Sequence, residues 1–252
     1  MILGWDLSGV VAGVGTGVTE FKEGDEVFGT VGFPGPGCSY AEFAAVKANE
    51  LARKPENISH AEAAAATQSP LTAWQALEAG HVGKGDRVLI HGGAGGVGNY
   101  AVQIARHLGC HVIATASGAD ADFVKGLGAD EVIDYKTQRF DDLLRDVDFV
   151  LDTIGGENFV RSLKVLAPGG TIVLLPSNKK EEADKAAAEH HVENYKALLM
   201  HSSGEDMRRV AELLAQGSLK VHVDRTFGFD EIPQAHELLE NGKVKGKIAI
   251  VL

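Results

Sequence analysis

One stretch, Val88-Leu89-Ile90-His91-Gly92-Gly93-Ala94-Gly95-Gly96-Val97-Gly98, restricts what this chain can fold into more than any other. Val88 to Ile90 is a short apolar run of the kind that forms a buried strand. Val97, Ala101, Ile104, Ala105 and Leu108 then recur at helical spacing. Gly93-x-Gly95-x-x-Gly98 therefore lies between a strand and a helix, where a dinucleotide-binding fingerprint has to lie. Glycine there permits a turn with positive φ, close approach of a pyrophosphate to the main chain, and tight packing of helix on strand. The N–H groups and positive dipole end of the helix would hold the phosphates. The candidate contacts are Gly93, Ala94, Gly95, Gly96, Val97 and Gly98.

The surrounding rhythm agrees. From Asp86 onward, strands read at 87–91, 110–116, 131–134, 147–152 and 171–175 alternate with helices near 97–108, 120–127 and 157–166. Such alternation implies an α/β fold: a doubly wound parallel sheet with helices on both faces. Its ligand crevice should lie at the carboxyl ends of the strands. Thr153, Ile154 and Gly155 follow one such end, and Leu175 closes another.

Outside this region the pattern changes. Residues 1–56 read as short strands and turns, with β-rich stretches at Ser8 to Val14, Glu26 to Thr30 and Tyr40 to Val46. Ser59-His60-Ala61-Glu62 is a capping box opening an alanine-rich helix, which Pro70 interrupts before Leu71 to Leu77 resume it. The charged stretch 178–196, with Lys179-Lys180-Glu181-Glu182 and His190-His191, reads as a solvated helix or mobile loop. A helix at 205–215, a strand near 219–227, a helix at 231–240 and a final strand from Ile248 to Leu252 complete the chain.

Composition narrows the function. A net charge of −11 over 252 residues argues against a nucleic-acid or anionic-membrane surface. No apolar run approaches the roughly 20 residues of a membrane span, and the first residues carry no basic leader. Two cysteines, Cys38 and Cys110, would make a weak staple in so long a chain, which favours a reducing, cytoplasmic setting.

The chain resembles the zinc-free medium-chain dehydrogenases/reductases, in their quinone oxidoreductase (zeta-crystallin-like) branch. The matching residues run nearly end to end. They are Leu3-Gly4-Trp5-Asp6-Leu7-Ser8-Gly9-Val10-Val11, Gly24 to Gly29, Tyr40-Ala41-Glu42-Phe43, Thr72 to Leu77, and Gly85 to His91 with the glycine loop. Leu127 to Tyr135, Gly169-Gly170 and Gly246-Lys247 complete the set. The resemblance implies a Rossmann domain over 62–200 inserted into a GroES-like β-rich domain made of 1–61 and 201–252. That β-rich domain would be partial, since the family pattern starts some tens of residues earlier, with an Asn-Pro-x-Asp-type segment.

Several roles follow from the resemblance. Ser117 and Tyr135 match positions that contact a 2′-phosphate. The strand ends Thr115-Ala116-Ser117 without the acid that NAD-specific sites place some ~20 residues past the glycines, which favours NADP(H) over NAD(H). Asp120 stands where relatives carry a cation, with Lys125 the nearest. Thr72, Tyr40 and Asp6 are the candidate catalytic residues: Asp6 on the active-site floor, Tyr40 as a hydrogen-bond donor, Thr72 near the nicotinamide. The residue-level alternatives are a turn or cap role for Asp6, strand packing for Tyr40, and a hydroxyl bonded to its own helix for Thr72.

Zinc is not expected. Trp5-Asp6 and Gln68 occupy positions where zinc relatives carry Gly-His-Glu and a catalytic cysteine, and no ligand set is visible. No Gly-x-Ser-x-Gly elbow surrounds Ser69, and neither cysteine has a base beside it. The expected activity is hydride transfer from NAD(P)H to a quinone or an α,β-unsaturated carbonyl. The expected assembly is a homodimer joined at Rossmann sheet edges, with Leu198-Leu199-Met200 as the edge strand. A nucleotide-binding protein without turnover, and a zinc alcohol dehydrogenase, are the competing readings.

Overall fold

The computed structural model describes residues 2–242 and 244–252. Two compact units emerge, one of Met1–Thr72 with Met200–Leu252 and the other of Ala73–Leu199.

The first unit opens with an antiparallel sheet in the order β1-β2-β3, built from β1 (Asp6–Val10), β2 (Glu26–Thr30) and β3 (Leu51–Arg53). Asp6 pairs with Thr30 and Val10 with Glu26, so the apolar Val27 and Phe28 are drawn inside. The strand expected from Tyr40 to Val46 does not form. Only Ser39 and Tyr40 reach a neighbour, donating N–H bonds to the carbonyls of Gly4 and Leu3, and Phe43 stands 79% exposed. An alternating pattern needs a partner strand; β1 is an edge strand, but after the bonds to Gly4 and Leu3 the segment makes no ladder with it. The expected strand from Ser8 to Val14 is likewise shorter, ending at Val10, while β3 had too few residues to show a pattern.

Helix α1 (His60–Ala65) starts at the capping box: Ser59 Oγ accepts from Glu62 N–H at 3.2 Å while Glu62 Oε2 accepts from Ser59 N–H at 2.8 Å. The chain breaks at Ala66-Thr67, not at Pro70. Pro70 sits in the first turn of α2 (Gln68–Ala79), where the N–H it lacks has no helical acceptor anyway. The unit boundary falls inside α2, after Thr72.

The second unit continues through β4 (Arg87–Ile90), α3 (Gly98–His107), β5 (His111–Ala116), α4 (Ala121–Gly126), β6 (Glu131–Asp134), α5 (Phe140–Leu143), β7 (Val147–Asp152), α6 (Glu157–Leu163), β8 (Leu166–Leu174), α7 (Lys180–Glu189) and β9 (Tyr195–Ala197). Its six strands are parallel in the order β6-β5-β4-β7-β8-β9. Winding therefore reverses between β4 and β7. Val88, Leu89, Ile90, Val112, Ile113 and Val150 are fully buried, as strands covered on both faces require. The charged stretch after β8 forms α7, whose Ala183, Ala186 and Ala187 face the core while Lys180–Asp184 and Glu181–Lys185 pair outside at 2.6 and 3.2 Å. The edge strand is β9, not residues 198–200. Val173 pairs with Lys196 and Leu174 with Ala197, and the ladder ends when Leu198 N–H bonds Leu174 O.

The chain then returns to the first unit as α8 (Gly204–Ala215), β10 (Val223–Gly228), α9 (Ile232–Glu240) and β11 (Lys247–Val251). Gly204 allows α8 to press on β3: a Cβ there would lie 2.6 Å from Asn49 O and 2.8 Å from Leu51 O. Strands β10 and β11 pair in parallel, Thr226 opposite Ala249.

Candidate cofactor site and polar cluster

In the second unit, the loop from β4 to α3 is shaped by exclusion. A Cβ at Gly98 would lie 2.0 Å from Gly92 O, and one at Gly93 would lie 3.0 Å from the Ala114 side chain. Gly95 is looser, with Gly92 O at 3.2 Å. The left-handed conformation falls on Gly92 (φ 69°), one residue ahead of the fingerprint. With the turn so fixed, Gly92, Ala94, Gly95, Gly96 and Val97 stay partly exposed. Asn99 N–H at the start of α3 bonds Gly95 O at 3.1 Å, so the donors that can bind an anion are the N–H groups just ahead of it, at Gly96, Val97 and Gly98.

The next loop along the sheet, after β7, is organised by a residue the motif reading passed over. Asp152 is fully buried, and its Oδ1 accepts from Ile154 N–H (2.8 Å), Gly155 N–H (2.9 Å) and Asn158 Nδ2 (3.2 Å). These bonds hold Gly155 and Gly156 in left-handed conformations, φ 75° and 63°, and leave Ile154 55% exposed. Thr153 Oγ1 donates to His91 O at 2.9 Å, so this loop and the glycine loop touch. Leu175 N–H bonds Asp152 O at 3.0 Å, which brings the β8 end alongside. The signal for Asp152 was an acid closing the apolar run Phe149-Val150-Leu151: a buried carboxylate must find donors. Thus Gly93 to Gly98, Thr153, Ile154, Gly155 and Leu175 gather at the carboxyl ends of β4, β7 and β8, around the point where the winding reverses.

The ends of β5 and β6 carry Ser117 and Tyr135. Ser117 Oγ donates to Asp120 Oδ2 at 2.6 Å, and Tyr135 is 59% exposed. Asp134 also approaches, its Oδ2 lying 2.7 Å from where a Cβ on Gly118 would sit. This corner is acidic.

In the first unit, Asp6 is the hub of a polar cluster. Its Oδ1 accepts from Thr67 Oγ1 (2.6 Å) and Gln68 N–H (3.0 Å), and Lys247 Nζ lies 3.2 Å from Oδ2. The Tyr40 hydroxyl is 3.4 Å from His236 Nε2. Burial raises the Tyr40 pKa above its ordinary value, helped by the negative charge of Asp6 and opposed by Lys247. Asp6, Tyr40 and Lys247 line a cleft of about 870 Å³. The Thr72 hydroxyl donates to Gln68 O at 2.7 Å, within its own helix. Thr67, Lys247 and His236 were not singled out as site residues, because their closeness to Asp6 and Tyr40 exists only in three dimensions.

Comparison with known proteins settles the kinship. Residues 127–250 match the family model described as zinc-binding dehydrogenase, and residues 1–56 match the alcohol dehydrogenase GroES-like domain. A quinone oxidoreductase of Coxiella burnetii superposes with a TM-score of 0.94 at 37% identity, over 99% of this chain and 79% of that one. This chain belongs to the medium-chain dehydrogenase/reductase family. The 2-methylene-furan-3-one reductase of Solanum lycopersicum is 36% identical over 98% of this chain, which spans 62% of that protein's length. The mitochondrial NAD(P)H oxidoreductase of Mus musculus is 34% identical over 99% of this chain, which spans 70% of it. The α/β architecture, a Rossmann-like parallel sheet together with a GroES-like domain, is that of the family. One of the matching models carries zinc in its description; among the described residues no three His, Cys, Asp or Glu side chains gather as a metal site requires.

Proposed function

We propose that this member of the family is an NAD(P)H-dependent oxidoreductase that delivers hydride to a quinone or an α,β-unsaturated carbonyl, with no zinc. The observation that carries the reading is the joining of the glycine loop and the Asp152-ordered loop at the reversal of the sheet, the place where open α/β sheets bind ligands. A relative named for NAD(P)H and others named for quinone and enone-type reduction add support.

When bound, the reduced nicotinamide supplies the hydride. The chain binds and orients. Ala94, Gly96, Val97 and Gly98 offer main-chain N–H groups to the diphosphate, the Gly95 N–H being held by Gly92 O at 2.9 Å, and exposed Ile154 offers an apolar surface that excludes water. In the first unit, Tyr40 keeps its proton to higher pH than an ordinary tyrosine and can donate a hydrogen bond to a carbonyl oxygen gaining charge. Asp6, held by Thr67, Gln68 and Lys247, is a positioning residue. Thr72 has committed its proton to Gln68 O and can only accept.

NADP(H) is the favoured cofactor, because β5 ends at Ala116-Ser117 with no acid. Asp120, bonded by Ser117, works against that preference. The assembly we propose is a homodimer, the partners are small carbonyl or quinone substrates, and the setting is cytoplasmic, which suits two unpaired cysteines. No helix among the described residues is long and apolar enough to cross a membrane.

The test is a parallel titration of the chain with NADPH and NADH, read by nicotinamide fluorescence, followed by quinone and enone turnover. Tighter NADPH binding with acceptor-dependent oxidation is expected. Tighter NADH binding reassigns the cofactor. Binding without any turnover, or no binding, overturns the proposal.

A further inference from the structure

His91 is a buried, titratable side chain that none of the chemistry above uses. It follows β4, is 1% exposed, and stacks edge-on against Phe140 with ring centroids 4.7 Å apart. Both ring nitrogens are engaged: Nδ1 lies 3.1 Å from Thr115 Oγ1 and Nε2 lies 2.9 Å from Ser162 Oγ.

The neighbours fix the direction of every bond. Ser162 Oγ donates its one proton to Asn158 O at 2.8 Å, so toward His91 it accepts. Nε2 must therefore carry the imidazole proton, and Nδ1 accepts from Thr115 Oγ1. Thr115 Oγ1 in turn accepts from Gly92 N–H at 3.2 Å. A single file of donors results: Gly92 N–H to Thr115, Thr115 to His91, His91 to Ser162, Ser162 to Asn158. Asn158 Nδ2 then donates to Asp152 Oδ1, the same oxygen that orders Ile154 and Gly155. One end of the file is the left-handed glycine of the β4 loop, and the other is the β7 loop. Among residues this deeply buried each link must be satisfied, and reversing one leaves a proton with no acceptor.

We infer that His91, through Thr115 and Ser162, is a positioning residue that locks the glycine loop and the Thr153–Gly155 loop in one mutual geometry, so that nicotinamide dinucleotide binding depends on an imidazole that never touches the ligand. This rests on the reading of those two loops as the cofactor site. The relay works only with the neutral, Nε2-protonated tautomer.

Three measurements on the full chain decide it. Titration of the wild-type protein with NADPH and with NADH tests the site itself; binding of neither removes the site and the relay together. Given binding, Thr115→Val, which keeps the shape of Thr115 and deletes the hydroxyl, should raise Kd about tenfold for both nucleotides alike. It should also shift the amide resonances of Ile154 and Gly155 at the far end of the file. Thr115→Ser, which retains the hydroxyl, should restore both. Long-range ¹H–¹⁵N spectra of the His91 ring should show the Nε2–H tautomer near neutral pH. An unaltered Kd in a folded Thr115→Val protein, spectral changes confined to residues 91–98, or the Nδ1–H tautomer would each overturn the relay.

Discussion

Gly98 is the position in the loop that tolerates least. Its missing side chain is what allows α3 to begin beside Gly92, and a Cβ would be driven to 2.0 Å from a carbonyl oxygen that cannot retreat. Gly98→Ala should lower stability by about 1–3 kcal/mol, the range for overpacking a close-packed interior, and should weaken cofactor binding more than Gly95→Ala does; denaturant unfolding and nucleotide titration check both. His91 carries a pH dependence of calculable sign. Burial pushes its pKa down to about 4, with the negative charge of Asp152 opposing and the positive charge of Arg161 assisting. Between the ordinary value of 6.5 and about 4 the unfolded chain takes up a proton that the folded chain refuses. Stability therefore falls as pH drops through that window, by about 2 kcal/mol from pH 7 to pH 5. Urea unfolding at the two pH values should show the loss, and His91→Phe should remove most of it. The fingerprint glycines were legible in the sequence because their spacing is a steric rule. The left-handed Gly92 was not, because in a run of glycines nothing local says which one bends. His91 was opaque for a related reason: its partners Thr115 and Ser162 lie far along the chain, on β5 and α6.

Elements were legible where one principle ruled unopposed. The strands at 131–134 and 147–152 were read to the residue; the second is a largely buried run of apolar β-formers, which inside a doubly wound sheet has one outcome. The capping box opened α1 as its local chemistry demands. Misreadings came where the deciding partner was remote: Tyr40 to Val46 alternates like a strand but has no ladder to join, and Pro70 breaks a helix only beyond its first turn. The edge of the parallel sheet belongs to the same class. Strand β9 has three residues, and its alternate groups point opposite ways. Leu198 N–H faces β8, so Ala197 N–H faces the open side. If two copies join along this edge, as proposed, Ala197→Pro removes one intermolecular donor while sparing the bonds to β8. Light scattering after size exclusion should find a dimer for the wild type and a monomer for the variant; a wild-type monomer ends the idea.

Across the whole molecule, a parallel sheet with helices on both faces was implied by the alternation, while its order β6-β5-β4-β7-β8-β9 emerges only from the structure. The same order has a kinetic meaning. His91 and Thr153 share a hydrogen bond across 62 positions of sequence. Between them the chain leaves along α3, builds β5 and β6, and returns as β7. The ends of this long excursion meet only after a costly loop closure, whereas the helices and turns within it form from near neighbours. The two loops assigned to the nucleotide are thus among the most non-local features of their unit. On that ground they should come together after the elements between them, so that the capacity to hold a dinucleotide marks the completed sheet rather than any of its parts.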